Sequence, residues 1–278
     1  DFCLSRGLGD VYKRQLIGWA EDPLVNITVM ALIVLGGLGF FVWSDVWDKH
    51  SFCRLRLHTK IVLTATAGLL LFGFGWTLLF EWSNPATLGA FDTPHKLLAA
   101  AFESVTLRTA GFNTIDLGAL TGPSQAVSCL LMFIGGSPGS TAGGIKTVTA
   151  AVLVLTAISA FCGRTTVSAF GRTIAPRSIM NAVTLLMAGG VLCLVGACAI
   201  AGIEDAPFHQ CLFEAVSAFG TVGVSMGLTP TLAAASRVIL IVMMYMGRVG
   251  VLTLGVAVFM RRREPPRLKY PDADVFIG

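Results

Sequence analysis

Residues 102–111 read Phe-Glu-Ser-Val-Thr-Leu-Arg-Thr-Ala-Gly, and residues 213–223 read Phe-Glu-Ala-Val-Ser-Ala-Phe-Gly-Thr-Val-Gly. Both stretches begin with Phe-Glu and end in a Thr-x-Gly triplet. A further glycine in an apolar run follows 24 residues after each triplet, Gly135 in the first copy and Gly247 in the second. A unit that recurs about 112 residues along the chain, with a fixed internal spacing, indicates one structural unit used twice.

The composition places most of the chain in a lipid bilayer. Of the 278 residues, 54% are hydrophobic and 13% are charged, and the mean hydropathy is +0.76. A soluble domain carries about 25% charged residues. The apolar composition therefore predicts contact with membrane lipid. The net charge is only +4, so no nucleic-acid partner is predicted. The seven cysteines show no metal-binding spacing, and we expect Cys193 and Cys198 to pack between helices.

Five apolar stretches reach the roughly 20 residues that a membrane-spanning helix needs. They are residues 24–43, 61–80, 125–161, 179–203 and 236–260. Two other segments, residues 94–107 and 206–219, are too short to span, and we predict that they are re-entrant half-helices. The predicted fold class is therefore an all-α, multi-pass membrane protein.

The charged residues between these stretches predict the orientation, because Lys and Arg mark the cytoplasmic side. One set of connections is basic and holds Lys49, Arg54, Arg56, Lys60, Arg164, Arg172, Arg177, Arg261, Arg262, Arg263, Arg267 and Lys269. The opposite set is acidic apart from Lys96 and holds Glu81, Asp92, Asp116, Glu204 and Asp205. We expect a protein of the cytoplasmic membrane whose C-terminus is cytosolic and whose half-helices enter from the outside.

The repeated unit is predicted to be an outer helix, a pore half-helix, a loop and an inner helix. We expect two full units, unit 1 at residues 49–165 and unit 2 at residues 166–260. A cytosolic tail at residues 261–278 follows them.

The residues before unit 1 carry a third copy of the inner-helix pattern. Gly36 stands in an apolar run as the later inner-helix glycines do, so residues 16–48 are predicted to be the inner helix of a truncated unit. Residues 1–15 are polar, basic and aperiodic, and we interpret them as a non-native leader, with a native cytosolic tail as the alternative. Counting back 24 residues from Gly36 reaches Tyr12, inside that leader, so we expect a preceding half-helix and loop to have been lost.

Each half-helix leads into a loop that we name by position, loop A at residues 108–113 and loop B at residues 220–227. Non-helical backbone at membrane depth leaves carbonyl groups that lipid cannot satisfy, so such a loop must line a polar cavity. Carbonyl oxygens there can replace the hydration shell of a potassium ion. Glycine permits the positive φ angles that such a loop needs, and the C-terminal end of a half-helix favours cations. Two ordinary glycine-containing turns are the alternative.

With these features assembled, the chain resembles the pore-forming subunit of the Trk/Ktr/HKT superfamily of potassium transporters, closest to the KtrB type. Residues 104–114 are similar to the third filter loop of that family, residues 217–225 to its fourth, and residues 270–274 to its tail. The resemblance implies four such units around one pore, so two loops are not expected to conduct alone. It implies potassium bound by the main chain of Thr109, Ala110, Gly111, Phe112, Thr221, Val222, Gly223 and Val224.

A glycine-rich loop, residues 135–146, interrupts the third apolar stretch. Its glycines and Pro138 disfavour a helix there, with a kinked, closely packed helix as the alternative. The family resemblance implies an intramembrane gate beneath the filter. The residues expected to act in gating are Gly135, Gly136, Gly139, Gly143, Gly144, Lys146 and Arg248.

Two of these gating candidates are charged. A charge near the middle of the last helix is expensive, which marks Arg248 as a functional candidate. The family resemblance implies that Arg248 faces the pore and holds the glycine-rich loop through its carbonyls, with snorkelling or a structural pair as the alternative. Lys146 lies nearer the cytosolic half, and snorkelling explains it as well as gating does.

The sequence gives little support for an enzymatic function. Residues 135–139 match the G-x-S-x-G pattern of a hydrolase nucleophile, and residues 139–147 half-resemble a phosphate-binding loop. The histidines that could serve as a base all lie at segment ends or in loops, and they are His50, His58, His95 and His209. The remaining rival is a secondary carrier whose broken helices bind another small solute or cation at the bilayer midplane.

The sequence and the resemblance together define the expected partners. No cofactor is expected; potassium is the transported ion, and sodium is a candidate coupling ion. The resemblance implies a homodimer and a cytosolic, nucleotide-binding ring subunit. The basic segments are predicted to set topology and could also contact that ring or anionic lipid.

Overall fold

The computed structural model describes residues 16–250, and within this range most residues are helical. Helix bounds are α1 Pro23–Leu38, α2 Phe40–Lys49, α3 Leu57–Glu81, α4 Thr93–Thr106, α5 Gly122–Phe133, α6 Thr147–Phe161, α7 Pro176–Glu204, α8 Phe208–Gly220 and α9 Ala234–Val249. One short antiparallel hairpin, β1 Ser168–Ala169 with β2 Arg172–Thr173, lies between α6 and α7. Single 3₁₀ turns occur at Ile17–Trp19, Phe52–Arg54, Leu88–Ala90, Leu117–Ala119 and Thr229–Thr231.

Local sequence explains where several helices begin. Asp22 caps α1 by accepting hydrogen bonds from the N–H groups of Leu24 (2.9 Å) and Val25 (3.3 Å), and Pro23 occupies the first helical turn. Proline also stands in the first turn of α7, where its missing N–H has no intrahelical partner to lose.

Two helices of the described part, α3 and α7, are each long and apolar enough to cross a membrane unbroken. A third candidate exists if α1 and α2 are counted as one bent span, because the two helices meet at 91°. The third apolar stretch is divided into α5 and α6, as its glycine content predicted, and the short segments before it and before α9 form α4 and α8.

The first apolar stretch corrects the sequence prediction of a single helix over residues 24–43. The helix ends at Leu38, and Gly39, with φ of 83°, turns the chain into α2. Glycine fits there because a Cβ would lie 2.8 Å from the Pro138 carbonyl oxygen. A distant loop, residues 137–139, therefore fixes the bend.

The core lies around the short helices rather than the long ones. Every residue of α8 from Phe213 to Gly220 is buried, whereas α3 and α7 expose large apolar side chains such as Leu71 and Val191. The helix pairs α3–α4, α7–α8 and α8–α9 pack against each other, and α5 also contacts α8. Apolar outer helices around a buried pair of half-helices are typical of a protein that faces lipid on its outside.

Candidate functional site

Loops A and B have the same pattern of backbone angles. In loop A, Thr109 has φ of 69° and Gly111 has φ of 85°; in loop B, Thr221 has φ of 52° and Gly223 has φ of 91°. The residue between them, Ala110 or Val222, does not have a positive φ. A threonine with positive φ costs on the order of 1 kcal/mol or more, so its occurrence at both places indicates a shape that the packing requires.

A hydroxyl group at the end of each half-helix holds the loop that follows. Thr106 Oγ1 donates to the Phe112 carbonyl at 2.6 Å, and Ser217 Oγ donates to the Val224 carbonyl at 2.6 Å. Thr106 Oγ1 also accepts from the Phe112 N–H at 3.0 Å. These two hydroxyl residues were not singled out from the sequence, although the repeat places Thr and Ser at the same position. Each loop therefore folds back over the end of its own half-helix.

The glutamate shared by the two half-helices is buried in both, but its partners differ. Glu214 accepts a hydrogen bond from Ser225 Oγ and another, at 2.7 Å, from Thr229 Oγ1. These two bonds hold loop B and the residues after it against the half-helix α8. Glu103 is 1% exposed, and neither of its oxygens has a hydrogen-bond partner within residues 16–250. Asn113 Oδ1, at the end of loop A, also lacks one there.

The outer helix of each unit contacts the start of the inner helix through a glutamate. Glu81 accepts from both the N–H (2.9 Å) and the Oγ1 (2.7 Å) of Thr121, the residue that precedes α5. Glu204 accepts from the N–H of Ala233, the residue that precedes α9, at 2.8 Å. In the sequence, these two glutamates indicated only which connections lie on the outer side of the membrane.

Close packing gives a reason for a glycine at both positions that lie 24 residues after the Thr-x-Gly triplets. A Cβ on Gly247 would overlap the carbonyl oxygen of Phe219, at the end of α8, so the inner helix α9 touches the half-helix of its own unit there. A Cβ on Gly135 would instead overlap the carbonyl oxygen of Gly143. In unit 2 the glycine admits the half-helix, whereas in unit 1 it admits the glycine-rich loop.

The two ends of the glycine-rich loop lie side by side. We call this point, residues 134–136 together with residues 145–147, the neck. The Gly135 N–H donates to the Ile145 carbonyl (2.8 Å), and the Thr147 N–H donates to the Gly136 carbonyl (3.0 Å). Ile134 and Ile145 form an isolated parallel bridge. The residues between these contacts are non-helical, as predicted.

Neighbouring elements hold the loop on several sides. The α1–α2 bend contributes the Gly37 carbonyl, which accepts from the Ser137 N–H at 3.0 Å, and the Phe40 N–H, which donates to the Gly139 carbonyl at 3.2 Å. Loop B lies against the other side, because a Cβ on Gly143 would overlap Thr221 Oγ1. One wall of the loop is therefore a residue predicted to belong to the filter.

The predicted cations contact the loop in different ways. Arg248 Nη1 donates to the Thr141 carbonyl, and Lys146 Nζ donates to the Ala142 carbonyl at 2.7 Å. One expectation is corrected: Arg248 lies in the last turn of α9, which ends at Val249, and not near the middle of a helix reaching residue 260. Residues 251–260 lie outside the described range.

Arg108 contacts the ends of the glycine-rich loop, and the sequence did not predict this contact. It belongs to loop A, is 8% exposed, and donates from Nη2 to Thr147 Oγ1 (2.9 Å) and to the Gly135 carbonyl (3.3 Å). The segment that follows loop A also meets loop B, since a Cβ on Gly118 would lie 3.2 Å from the Met226 carbonyl oxygen. Within the described residues, no hydrogen bond joins residues 109–113 directly to residues 221–225.

Paired short helices that end in non-helical loops, inside a shell of long apolar helices, define a multi-pass α-helical membrane protein. Residues 11–264 match the sequence model of the TrkH family, described as cation transport proteins, and the chain belongs to this family.

Two characterised relatives match almost the whole chain. It is 39% identical over 268 residues to the Ktr system potassium uptake protein B of Bacillus subtilis (strain 168), covering 96% of this chain and 60% of the relative. It is 38% identical over 274 residues to the potassium/sodium uptake protein NtpJ of Enterococcus hirae, covering 97% and 60%. The chain thus spans about three fifths of the length of these relatives.

The fold is similar to the crystal structure of the potassium transporter TrkH from Vibrio parahaemolyticus. The TM-score is 0.66 at 17% sequence identity, and the match covers 86% of this chain and 53% of that chain. The relatives are transporters rather than enzymes, in agreement with the predicted class.

Proposed function

We propose that this chain forms part of a potassium uptake pore in the cytoplasmic membrane, and that loops A and B line its selectivity filter. The observation that carries the proposal is the shared backbone pattern, a positive φ at Thr109 and Gly111 and again at Thr221 and Gly223. A backbone with alternating φ signs can direct consecutive main-chain carbonyl oxygens to one side, which suits the binding of a cation by the backbone. The carbonyls of residues 109–112 and 221–224 are the proposed ligands.

The test of the filter replaces its glycines in the full-length protein. A side chain at Gly223 or Gly111 strains a backbone with φ near +90°, so Gly223→Ser and Gly111→Ser are expected to lower the preference for potassium over sodium about tenfold, equivalent to about 1.4 kcal/mol. Competitive uptake of rubidium against sodium in a potassium-uptake-deficient strain measures it.

Gly163→Ser is the matched control for the filter variants. Gly163 also has a positive φ, of 65°, but it lies between α6 and β1 with open space around it. The control should keep the parent preference. Unchanged preference in both loop variants would remove the loops from the ion path.

The proposed gate is the glycine-rich loop, residues 135–146. It lies against Thr221 of the proposed filter and is held by Arg248 through the Thr141 carbonyl, so its displacement would open space next to loop B. The glycines permit such close contact, since Gly143 has no side chain to clash with Thr221. The hydrogen bond from Lys146 to the Ala142 carbonyl links two residues of the same loop.

Removing the arginine tests the gate separately from the filter. Arg248→Ala in the full-length protein should change the rate of potassium uptake several-fold, because an exposed hydrogen bond contributes about 1 kcal/mol, while ion preference stays at the parent value. Initial rates over a range of potassium concentrations give this result. An unaltered rate would make Arg248 a structural residue.

The orientation of the pore in the membrane, its partners and its coupling ion are also proposals. We place the acidic connections outside and the basic ones in the cytosol, where a nucleotide-binding ring would bind; a homodimer in lipid is the expected assembly. One relative is named a potassium/sodium uptake protein, which makes sodium a candidate coupling ion here. Potassium uptake measured with and without external sodium tests that role.

A further inference from the structure

Arg108 joins loop A to the neck of the glycine-rich loop, and this link is the basis of a further inference. The guanidinium reaches Gly135, where the chain enters the loop, and Thr147, where the chain leaves it. Thr147 Oγ1 itself donates to the Gly135 carbonyl at 2.8 Å. Arg108, Gly135 and Thr147 therefore form one closed cluster, and all its bonds meet at the neck.

The charge of Arg108 is unusual for its position. It is 8% exposed, and the ion pairs of residues 16–250 all involve Asp45, so Arg108 has no acidic partner there. Its Nε has no hydrogen-bond partner in that part of the chain. A buried cation held only by a carbonyl and a hydroxyl is costly, which argues against a purely packing role.

Unit 2 shows that packing alone does not require an arginine at this place. Two residues after the hydroxyl that holds each loop, unit 1 has Arg108 and unit 2 has Phe219. Phe219 is 2% exposed and packs against Phe133, with ring centroids 5.6 Å apart. The inner helix α9 continues through Gly247 without a loop. The arginine is thus present in the unit whose inner helix ends before its glycine, since α5 stops at Phe133, ahead of Gly135.

A small cavity lies beside the cluster. Gly37, Leu70, Arg108 and Gly136 contribute to its walls. The cavity borders both Arg108 and Gly136 of the neck, and its walls also include Val105, near the end of the half-helix that leads into loop A.

We propose that Arg108 is a positioning residue that couples the ion occupancy of loop A to the position of the glycine-rich loop. Arg248 holds the tip of that loop, whereas Arg108 holds its base. A change of loop A on binding potassium moves Arg108 and, through it, the neck. This inference rests on the proposed function, because it assumes that loop A binds the ion.

The test follows the tip of the loop in the full-length protein, reconstituted in liposomes on a background without cysteine. Thr141→Cys provides an exposed thiol, and its rate of modification by a cytosolic-side maleimide is measured with and without potassium. Coupling between sites of this kind commonly amounts to about fivefold or more, so the parent rate should differ by about fivefold between the two conditions. Arg108→Gln should bring the two rates together.

Two further variants make the result decisive. Thr147→Val removes one partner of Arg108 and keeps the branched shape, so it should reduce the potassium dependence in the same direction; it decides the question if Arg108→Gln does not accumulate. Arg237→Gln, which removes an arginine bonded to the Pro230 carbonyl outside the loops, should leave the dependence at the parent value.

The outcomes separate this inference from the proposed function. If the parent takes up potassium but Arg108→Gln keeps the full potassium dependence of labelling, or if the parent labelling ignores potassium, the coupling role of Arg108 is overturned and the pore stands. If the parent protein takes up no potassium, the proposed function itself fails.

Discussion

Units 1 and 2 have the same loop geometry but stabilise it differently. Both place a threonine and a glycine at positive φ and hold the loop by a hydroxyl on the half-helix. Behind the loop, Glu214 is hydrogen-bonded whereas Glu103 is not. The comparison teaches that the backbone shape is the shared requirement, while the buried polar groups behind it differ between the units.

The largest expected effect concerns the inner-helix glycines, which the two units use against different neighbours. Gly247→Ala or Gly135→Ala would drive a methyl group into the carbonyl of Phe219 or Gly143, and neither backbone can withdraw cheaply. We expect a loss of about 3 kcal/mol or more and little folded protein. The yield of monodisperse protein in detergent measures this.

Gly68→Ala is the matched control for these variants, since no atom lies within 4 Å of a Cβ at this position of α3. It should fold as the parent does. Normal yield from Gly247→Ala would show that the close approach of α9 to α8 does not occur, and the shared spacing would lose its explanation.

The next effect tests the buried acids directly. Glu214→Gln weakens two hydrogen bonds from hydroxyl donors and is expected to cost about 2 kcal/mol, whereas Glu103→Gln loses none within the described structure and should cost less than about 0.5 kcal/mol or stabilise the protein. Thermal unfolding of the two full-length variants in the same detergent compares them. Equal losses would mean that Glu103 has acquired partners equivalent to those of Glu214.

The last expected difference is no larger than the preceding one and concerns the glutamates of the outer helices. Glu81 is fully buried and accepts from Thr87 and Asn84 as well as from Thr121, whereas Glu204 makes one bond to a partly exposed site. Glu81→Ala should therefore cost about 2 kcal/mol and Glu204→Ala about 0.5 kcal/mol. The midpoints of thermal unfolding measure the difference, and a reversed order would contradict the role given to Glu81.

Much of the architecture could be predicted because its causes are local. The glycines and the proline of residues 135–144 break the third apolar stretch wherever it is placed, and apolar length defines α3 and α7. The Thr-x-Gly triplets were recognisable since they recur at a fixed distance. The shared hydroxyl of Thr106 and Ser217 was equally visible in the repeat.

The remaining features depend on residues far apart in the chain. The bend at Gly39 is fixed by residues 137–139, so an apolar pattern over residues 24–43 could only predict a straight helix. Arg108 bonds to residues 27 and 39 positions later, and its loop gave no sign of them. The orphaned carboxyl of Glu103 likewise looks the same in sequence as the satisfied one of Glu214.

The right angle at Gly39 gives α2 the mechanics of a lever. Its first residue, Phe40, donates from its N–H to the Gly139 carbonyl, and Asp45, in its middle, accepts from the N–H of Arg56, which lies beyond its far end, at 2.8 Å. A stiff rod hinged on a glycine converts a pull on its far end into a displacement at the near end. Force applied to the basic segment at residues 49–56 would therefore reach the proposed gate, residues 135–146, without passing through either of the proposed filter loops.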